Sequence, residues 1–315
     1  MSDLDFVKKA NIQVSTISPE GILQPERAQE FVELVIQESQ LMQLFDVRLL
    51  DRPEWEQPRI GFNGQVVFPD NEFESTPEGD LAEPDVDKRA LSVKRVKAVA
   101  RISFRTLKTV INKGNFIPYL MPLLAKAARR DIEKLVLRGD TTLPATTAEN
   151  RLLRLTDGII KLASANTYDA GGDPLNATVL DALDMAIPDQ YQDSDEYVVL
   201  TSRKAGVLYR GERSKRATPG GDDQLDKKEL ARHHGTPIIG AGLIPSDLGS
   251  PAKHSVALRL QPKNVLVGFQ DDMEVMTETH ADPGYYLVVM RYSLDTTFME
   301  PQAVAKATNV YASAT

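Results

Sequence analysis

The chain has 315 residues, of which 42% are hydrophobic and 26% charged, and its formal net charge is −8 at pH 7. This length suits one large domain or two, and the composition is that of a folded globular protein. The acidic balance disfavours a nucleic-acid-binding protein, which is usually basic. The absence of cysteine excludes disulfides, thiol catalysis and cysteine-ligated zinc.

The N-terminal region indicates neither secretion nor membrane insertion. Residues 1–9 lack the apolar core of a signal peptide, and no stretch of the chain is long and apolar enough for a transmembrane helix.

A helix is predicted over 25–39, because Pro25 suits the first helical position and apolar residues follow at helical spacing. A short strand is predicted over 47–50.

Residues 59–104 combine two strand-like arms with an acidic tip. Arm one covers 59–68. Arm two covers 94–104 and alternates almost perfectly between apolar and basic residues, with interruptions at Val99 and Ser103, the period-two pattern of a half-buried strand. The tip, residues 69–87, has eight carboxylates and no basic residue. This pattern predicts a long two-stranded ribbon with one apolar face and a strongly negative end.

Such a ribbon needs a partner surface. Each arm reaches about 33 Å, and an isolated two-stranded ribbon is marginally stable in water, so the simplest cover for its apolar face is another copy of the chain. Residues 88–108 carry eight Lys or Arg and no acid, which fits head-to-tail contact with an acidic tip. A solvated acidic loop is the alternative, and the residues do not decide between the two. The candidate assembly contacts are Glu74, Glu78, Asp80, Arg95, Lys97, Arg101, Arg129 and Arg130.

A long helix is predicted over 117–138, about 33 Å in length, with Gly139 as its C-terminal cap. Shorter elements follow it. A helix is predicted over 178–187 with Thr178 as N-cap, and a helical turn over 202–211. Strands are predicted over 197–201, 236–240, 264–268, 273–279, 285–294 and 299–307, and loops over 218–223 and 244–254.

No catalytic, cofactor or metal site is visible in the sequence. His233 and His234 have no carboxylate cluster at metal-ligand spacing, so a solvent-exposed pair is favoured over a metal site. Gly220 and Gly221 are followed by acids and not by the Lys and Ser/Thr of a phosphate-binding loop. The basic strand contains one aromatic residue, Phe104, which disfavours a base-stacking surface. The chain is therefore predicted not to be an enzyme.

The order of these parts resembles the major capsid protein of tailed phages, the Hong Kong 97-type α+β fold. The resemblance covers about residues 22–310: an N-terminal arm with a helix, a ribbon, a long helix ending at Gly139, the Asp157-Gly158 turn, and closing strands from Pro262 onward. It implies an N-terminal arm (1–45) and an extended loop (52–104). It also implies a peripheral domain with the long helix as spine (105–150 and 269–298) and an axial domain (151–268 and 299–315).

The resemblance implies that the chain assembles in pentamers and hexamers into an icosahedral shell around packaged double-stranded DNA. It implies location in the virion after assembly in the host cytoplasm, contact with DNA without sequence specificity, and a portal protein as a partner. A decoration protein is left open. The alternative of the same fold is an encapsulin, a nanocompartment shell that encloses enzyme cargo; an enzyme with an unrecognised site is a further alternative from another class.

Two features of some relatives are not expected here. Their Lys–Asn isopeptide cross-link takes its Asn from the peripheral domain, and residues 265–300 contain no Asn, so no such cross-link is predicted. Only about 24 residues precede the first predicted helix. This is too short for a built-in scaffolding segment, so a separate scaffolding protein is expected.

Overall fold

The computed structural model describes residues 39, 41–63, 66–68, 83–104, 117–192, 196–214, 230–248, 252–270, 274–280 and 284–312. The helices are α1 (Ile117–Arg138), α2 (Ala148–Leu153), α3 (Ile159–Leu162), α4 (Ala177–Ala186) and α5 (Arg203–Ser214). The strands are β1 (Asp46–Leu50), β2 (Glu54–Asn63), β3 (Glu83–Ser92), β4 (Lys94–Ser103), β5 (Asn166–Asp169), β6 (Val198–Ser202), β7 (Arg232–His233), β8 (Thr236–Ala241), β9 (His254–Leu260), β10 (Val265–Gln270), β11 (Glu274–His280), β12 (Tyr285–Phe298) and β13 (Ala305–Tyr311).

The long helix has the predicted bounds, and its apolar stripe is buried. Ala128, Ile132 and Leu135 recur at helical spacing and are at most 5% exposed. Gly139 follows the helix but does not have the left-handed backbone of a glycine cap. A Cβ at this position would lie only 2.3 Å from the carbonyl oxygen of Thr156. Gly139 does hold the predicted cap position, since its backbone N–H donates to the carbonyl of Leu135 at 2.9 Å, but glycine is required there by close backbone packing against the following turn.

A five-stranded sheet is built around the long strand β12. Strand β4 pairs antiparallel with one edge of β12, while β11 and β10 pair with the other edge in tandem; β1 then pairs parallel with β10. Val96 of β4 and Val288, Met290 and Tyr292 of β12 face the same core as α1. One face of this sheet is thus covered by the chain's own helix.

The prediction that β4 is the second arm of the ribbon is wrong. Its alternation does mark a half-buried strand, but its apolar face is buried within the chain because β12 and α1 lie beside it. The ribbon is formed instead by β2 and β3, which pair antiparallel from Glu54↔Ser92 to Asn63↔Glu83. The acids and the proline of β3 made this strand look like part of the tip, but a two-stranded ribbon has open edges that tolerate proline.

The six-stranded sheet has the order β5-β13-β9-β6-β8-β7 and is buried on both faces. Along β6, Val198 and Leu200 face the core shared with α1, whereas Val199 faces a second core formed with α4 and α5. Strand β9 divides its side chains in the same way. Because these strands are apolar on both faces, they lack the alternation that identifies a half-buried strand.

Several local predictions are corrected around this sheet. Part of the predicted loop 244–254 leads into β9, a central strand that the sequence analysis missed. The predicted strand over 299–307 is a short 3₁₀ turn followed by β13. The N-cap of α4 is Asn176 and not Thr178: its side-chain oxygen accepts a 2.8 Å hydrogen bond from the backbone N–H of Val179.

Other predictions fall outside the described residues. They concern the N-terminal helix over 25–39, except Ser39, the loop over 218–223, and most of the acidic tip. Among the described residues, no helix is both long enough and apolar enough to cross a membrane.

Candidate assembly surface

The outward face of the five-stranded sheet combines basic and apolar side chains. Arg95, Lys97 and Arg101 are exposed along β4, on the face opposite to α1. Between the last two lies Val99, which is 53% exposed. Its register partner on β12 is Val289, which in turn pairs with Met276 of β11, itself 46% exposed.

This arrangement follows from strand register. Residues directly opposite one another on neighbouring strands share a face of the sheet, so the three apolar residues form one row across β4, β12 and β11. Arg101 lies in the next row, where its guanidinium carbon is 4.6 Å from the centre of the Tyr285 ring. The face is therefore an apolar stripe bordered by basic groups along β4, although Glu278 of β11 lies in the same row as Arg101. The β4 side of this face is suited to binding an acidic segment with some apolar content.

The ribbon is held to the sheet at its base. Leu91 of β3 is 1% exposed and packs with Leu50, Val93 and Leu266, while Trp55 of β2 lies against the same cluster. Leu50 belongs to β1, Val93 to the β3–β4 junction and Leu266 to β10. The base of the ribbon therefore packs against three parts of the chain outside the ribbon.

Polar groups complete this attachment. The carboxylate of Asp295 accepts a 2.9 Å hydrogen bond from the backbone N–H of Ser92, and Arg89 donates to the carbonyl oxygen of Met299 at 3.0 Å. Burial raises the pKa of Asp295, while the backbone donors Ser92 and Thr296 oppose this effect. The base of the ribbon is therefore both packed and hydrogen-bonded, and these contacts fix the direction of the ribbon relative to the five-stranded sheet.

Beyond its base, the part of the ribbon whose side chains are described is mostly exposed. The exposed residues are Glu56, Gln57, Pro58, Asp87, Lys88 and Ala90. They include consecutive residues on both strands, and consecutive residues of a strand point to opposite faces. Both faces of this part of the ribbon are therefore left uncovered by the described residues. An uncovered two-stranded ribbon gains little stability in water, so a neighbouring molecule is the natural cover.

The predicted contact residues fall into three groups, and the structure describes two of them. Glu74, Glu78 and Asp80 lie outside the described residues. Arg95, Lys97 and Arg101 share the outward face of β4. Arg129 and Arg130 lie on α1, on the other side of the same sheet, and the structure does not bring them to the basic face. Arg129 lies 4.0 Å from Glu133 and lines a pocket with Leu41 and Leu44.

A second polar joint follows the end of α1. Lys161 of α3 lies 2.7 Å from Asp140 and 2.9 Å from Asp157, and the backbone N–H of Gly158 donates to the carbonyl of Gly139 at 2.8 Å. The hydrogen bond from Lys161, followed by that from Thr142, lowers the pKa of Asp140 to about 2. The joint fixes α1 to the segment that enters the six-stranded sheet.

The histidine pair differs from its prediction. The side chain of His233 is only 13% exposed, and Asp181 of α4, more than fifty residues away in sequence, lies against both rings. The prediction of a solvent-exposed pair is therefore wrong for His233 and holds only for His234, which is 70% exposed. No local pattern could have shown that Asp181 lies beside the histidines. The His234-Gly235 turn was a signal only that the two imidazole rings lie close together.

Comparison with known proteins identifies the fold. No protein-family model matches the chain. The chain is 27% identical over 315 residues to the "putative prophage capsid protein YqbE" of Bacillus subtilis (strain 168), with 98% of this chain and 99% of the relative covered. Among solved structures, the satellite phage P4 procapsid that includes the size determination (Sid) protein aligns with a TM-score of 0.61 and 14% identity, over 90% of this chain and 99% of the other.

The chain has the capsid-protein fold. The capsid of a native GTA particle aligns with a TM-score of 0.59, at 14% identity, over 87% of this chain and 90% of that chain. The SrpI encapsulin of Synechococcus elongatus PCC 7942 aligns with a TM-score of 0.57 and 13% identity, over 100% of this chain and 97% of that chain. The predicted resemblance to phage capsid proteins is confirmed, and the curated relative favours the phage capsid protein over the encapsulin.

Proposed function

We propose that this capsid protein is the major head protein of a tailed double-stranded DNA phage or prophage. In this proposal it assembles in pentamers and hexamers into an icosahedral shell that becomes part of the virion. The observation that carries the proposal is the similarity to a prophage capsid protein over almost the full length of both chains. An exposed ribbon anchored on a rigid sheet supports it, because such a ribbon is stabilised by burial on a neighbouring subunit.

The proposed domains correspond approximately to the two large sheets. We propose that residues 52–104 act as the extended loop, although β4 within this range belongs to the five-stranded sheet. Residues 105–150 and 269–298 then form the peripheral domain, residues 151–268 and 299–315 the axial domain, and residues 1–45 the N-terminal arm. The core shared by α1 and both sheets supports relative rigidity of the two domains within a subunit.

Partners other than the chain itself are proposed from the fold's known use in phage heads. They are a scaffolding protein, a portal protein and the packaged DNA, with a decoration protein left open. The net charge of −8 supports a shell that encloses DNA without binding it tightly. Attraction between basic side chains and DNA phosphates dominates the affinity of proteins for DNA, and an acidic protein offers little of it. The absence of Asn from residues 265–300 supports intact, unlinked subunits on a denaturing gel of mature particles.

The experiment for the function is electron microscopy of particles from cells that produce the chain with the neighbouring gene products of its source. DNA-filled shells with one portal vertex support the proposal. Shells filled with a single enzyme cargo would favour an encapsulin, and the absence of any shell under conditions that keep the chain folded would contradict both.

We propose further that the acidic tip of one subunit contacts the basic face of another. Charge reversal in the tip, Glu78→Lys with Asp80→Lys, should impair assembly while the subunit stays folded. Reversal on the basic face, Lys97→Glu with Arg101→Glu, should do the same. If the two surfaces meet, all four changes together should restore part of the assembly, because each new charge again faces an opposite one.

Assembly can be followed by sedimentation, with far-ultraviolet circular dichroism as the test of folding. A control with the same change in net charge is Asp189→Lys with Glu212→Lys, two exposed acids outside the tip. Normal particles from the tip variant would show that the tip is a solvated loop. Equal loss in the control would assign the effect to net charge alone.

A further inference from the structure

The cluster of Asp181, His233 and His234 lies at the outer edge of the six-stranded sheet. Asp181 is on α4, His233 ends β7, and His234 begins the two-residue turn to β8. The Nε2 atoms of the two imidazoles lie 2.6 and 3.1 Å from the same oxygen, Oδ1 of Asp181. All three ligand atoms lie within 4.8 Å of one another.

The backbone brings the two histidine rings together. Neighbouring residues of a strand normally point to opposite faces. Here His234 has φ of 45° and Gly235 has φ of 83°, the positive values of a tight hairpin turn. As a result the two rings lie with their centroids 4.2 Å apart.

Two carboxylates lie near the histidines, and only that of Asp181 is available as a metal ligand. Asp184, one helical turn from Asp181, is paired with Arg259, whose guanidinium also lies 3.3 Å from the hydroxyl of Thr236. The Asp184 charge is thereby compensated. Among the described residues, Asp181 forms ion pairs with the two histidines and with no Lys or Arg.

We propose that Asp181, His233 and His234 bind a divalent transition-metal ion of the zinc class. Two imidazole nitrogens and one carboxylate oxygen are a donor set that suits zinc, copper or nickel and not magnesium or calcium. Tetrahedral zinc with bonds of about 2.0–2.2 Å holds its ligand atoms about 3.4 Å apart. The two Nε2 atoms lie 2.6 and 3.1 Å from Oδ1 of Asp181, so each of these two distances must lengthen by less than about 1 Å to reach this spacing. His234 is exposed and Asp181 is half-buried, so these two side chains are the members that can move.

The ion would join the β7–β8 hairpin to α4 more firmly than the present hydrogen bonds. Three protein ligands leave a fourth position for water or for a group from another molecule. The site is independent of the proposed contact between acidic tip and basic face, so failure of either proposal leaves the other intact. It also departs from the interpretation of the histidine pair drawn from the sequence.

The test is titration of the tag-free, unassembled full chain with ZnCl₂ by isothermal calorimetry. We expect one ion per chain. Asp181→Asn and His234→Gln should each weaken binding by more than about tenfold, since loss of even an outer-shell partner costs 10–100-fold in metal affinity. His280→Gln, which removes a histidine outside the cluster, is the matched control and should bind as wild type does.

Two further readouts separate a built site from adventitious binding. Zinc should raise the melting temperature of wild type and of His280→Gln but not of Asp181→Asn, because a ligand that binds only the folded state stabilises it. Cobalt should give the visible absorption of a tetrahedral site only in proteins with the intact cluster. The proposal is overturned if wild type binds no zinc, or if Asp181→Asn and His234→Gln, folded in EDTA, bind zinc as tightly as the control.

Discussion

The joint at the base of the ribbon can be tested by removing Leu91. Its side chain is 1% exposed, and Leu91→Ala deletes three buried carbon atoms. At about 0.8 kcal/mol per methylene, the lost transfer free energy is about 2.4 kcal/mol. The cavity left behind brings measured Leu→Ala costs to about 2.7–5.0 kcal/mol. We expect the free energy of unfolding to fall by about 3–4 kcal/mol.

A second substitution tests the geometry of this joint. Gly268 of β10 lies beneath the same side chains, and a Cβ there would lie 2.7 Å from Cδ1 of Leu50 and 3.0 Å from Cδ1 of Leu91. Gly268→Ala alone should cost about 1–3 kcal/mol through overpacking. In the Leu91→Ala background, Leu50 can move into the new cavity. The double variant should therefore be more stable than the sum of the single effects predicts, by at least about 1 kcal/mol.

The assay is urea unfolding of unassembled subunits, followed by fluorescence. Trp55 is the sole tryptophan of the chain and packs against this cluster, so its emission reports on the joint directly. Leu183→Ala is the matched control, because Leu183 is fully buried in the second core on the far side of the six-stranded sheet. Its effect should add to that of Gly268→Ala.

Two results would refute this reasoning. A loss of less than about 1 kcal/mol for Leu91→Ala would mean that the cluster does not anchor the ribbon. Additivity of Leu91→Ala and Gly268→Ala within about 0.5 kcal/mol would mean that the two sites do not share one space.

Three other predictions concern the helices. Gly139→Ala should destabilise the subunit by at least about 3 kcal/mol in urea unfolding, because its Cβ would meet backbone atoms that cannot yield. Gly211→Ala, where the Cβ meets open space within α5, should instead stabilise by about 0.5–1 kcal/mol. Lys161 lowers the pKa of Asp140 to about 2, so the stabilisation is complete above the ordinary pKa near 3.8 and is lost as the pH falls toward 2. The stability difference between wild type and Asp140→Asn should shrink over that window. Asn176→Ala should cost about 1 kcal/mol through loss of the N-cap of α4.

Each of these has a contrary outcome. Equal effects of the two glycine substitutions would show that helix propensity, and not close packing, explains the first. A stability difference that stays constant between pH 4 and 2 would remove the proposed role of the Asp140 carboxylate. Thr178→Ala costing more than Asn176→Ala would restore Thr178 as the cap.

Some elements could be predicted because their signals are local. The bounds of α1 follow from apolar residues at helical spacing, and the buried face of β4 follows from an apolar residue at every second position. Strand β9 lacked such a signal, since residues on both of its faces are buried. Asn176 and Thr178 are equally good cap residues by type, and only the observed hydrogen bond to Val179 distinguishes them.

The sequence by itself determined the long helix α1, the strand β4, the strong local charge of residues 69–108, and the resemblance to capsid proteins. Only the tertiary structure decided which of those segments pair and pack with one another. It pairs β4 with β12, nearly two hundred residues later, and leaves β2 and β3 as the exposed ribbon. It also brings Asp181 to the two histidines. Alternation and spacing fix the direction of a side chain, but its partner depends on contacts between residues far apart in the chain, which a local pattern does not contain.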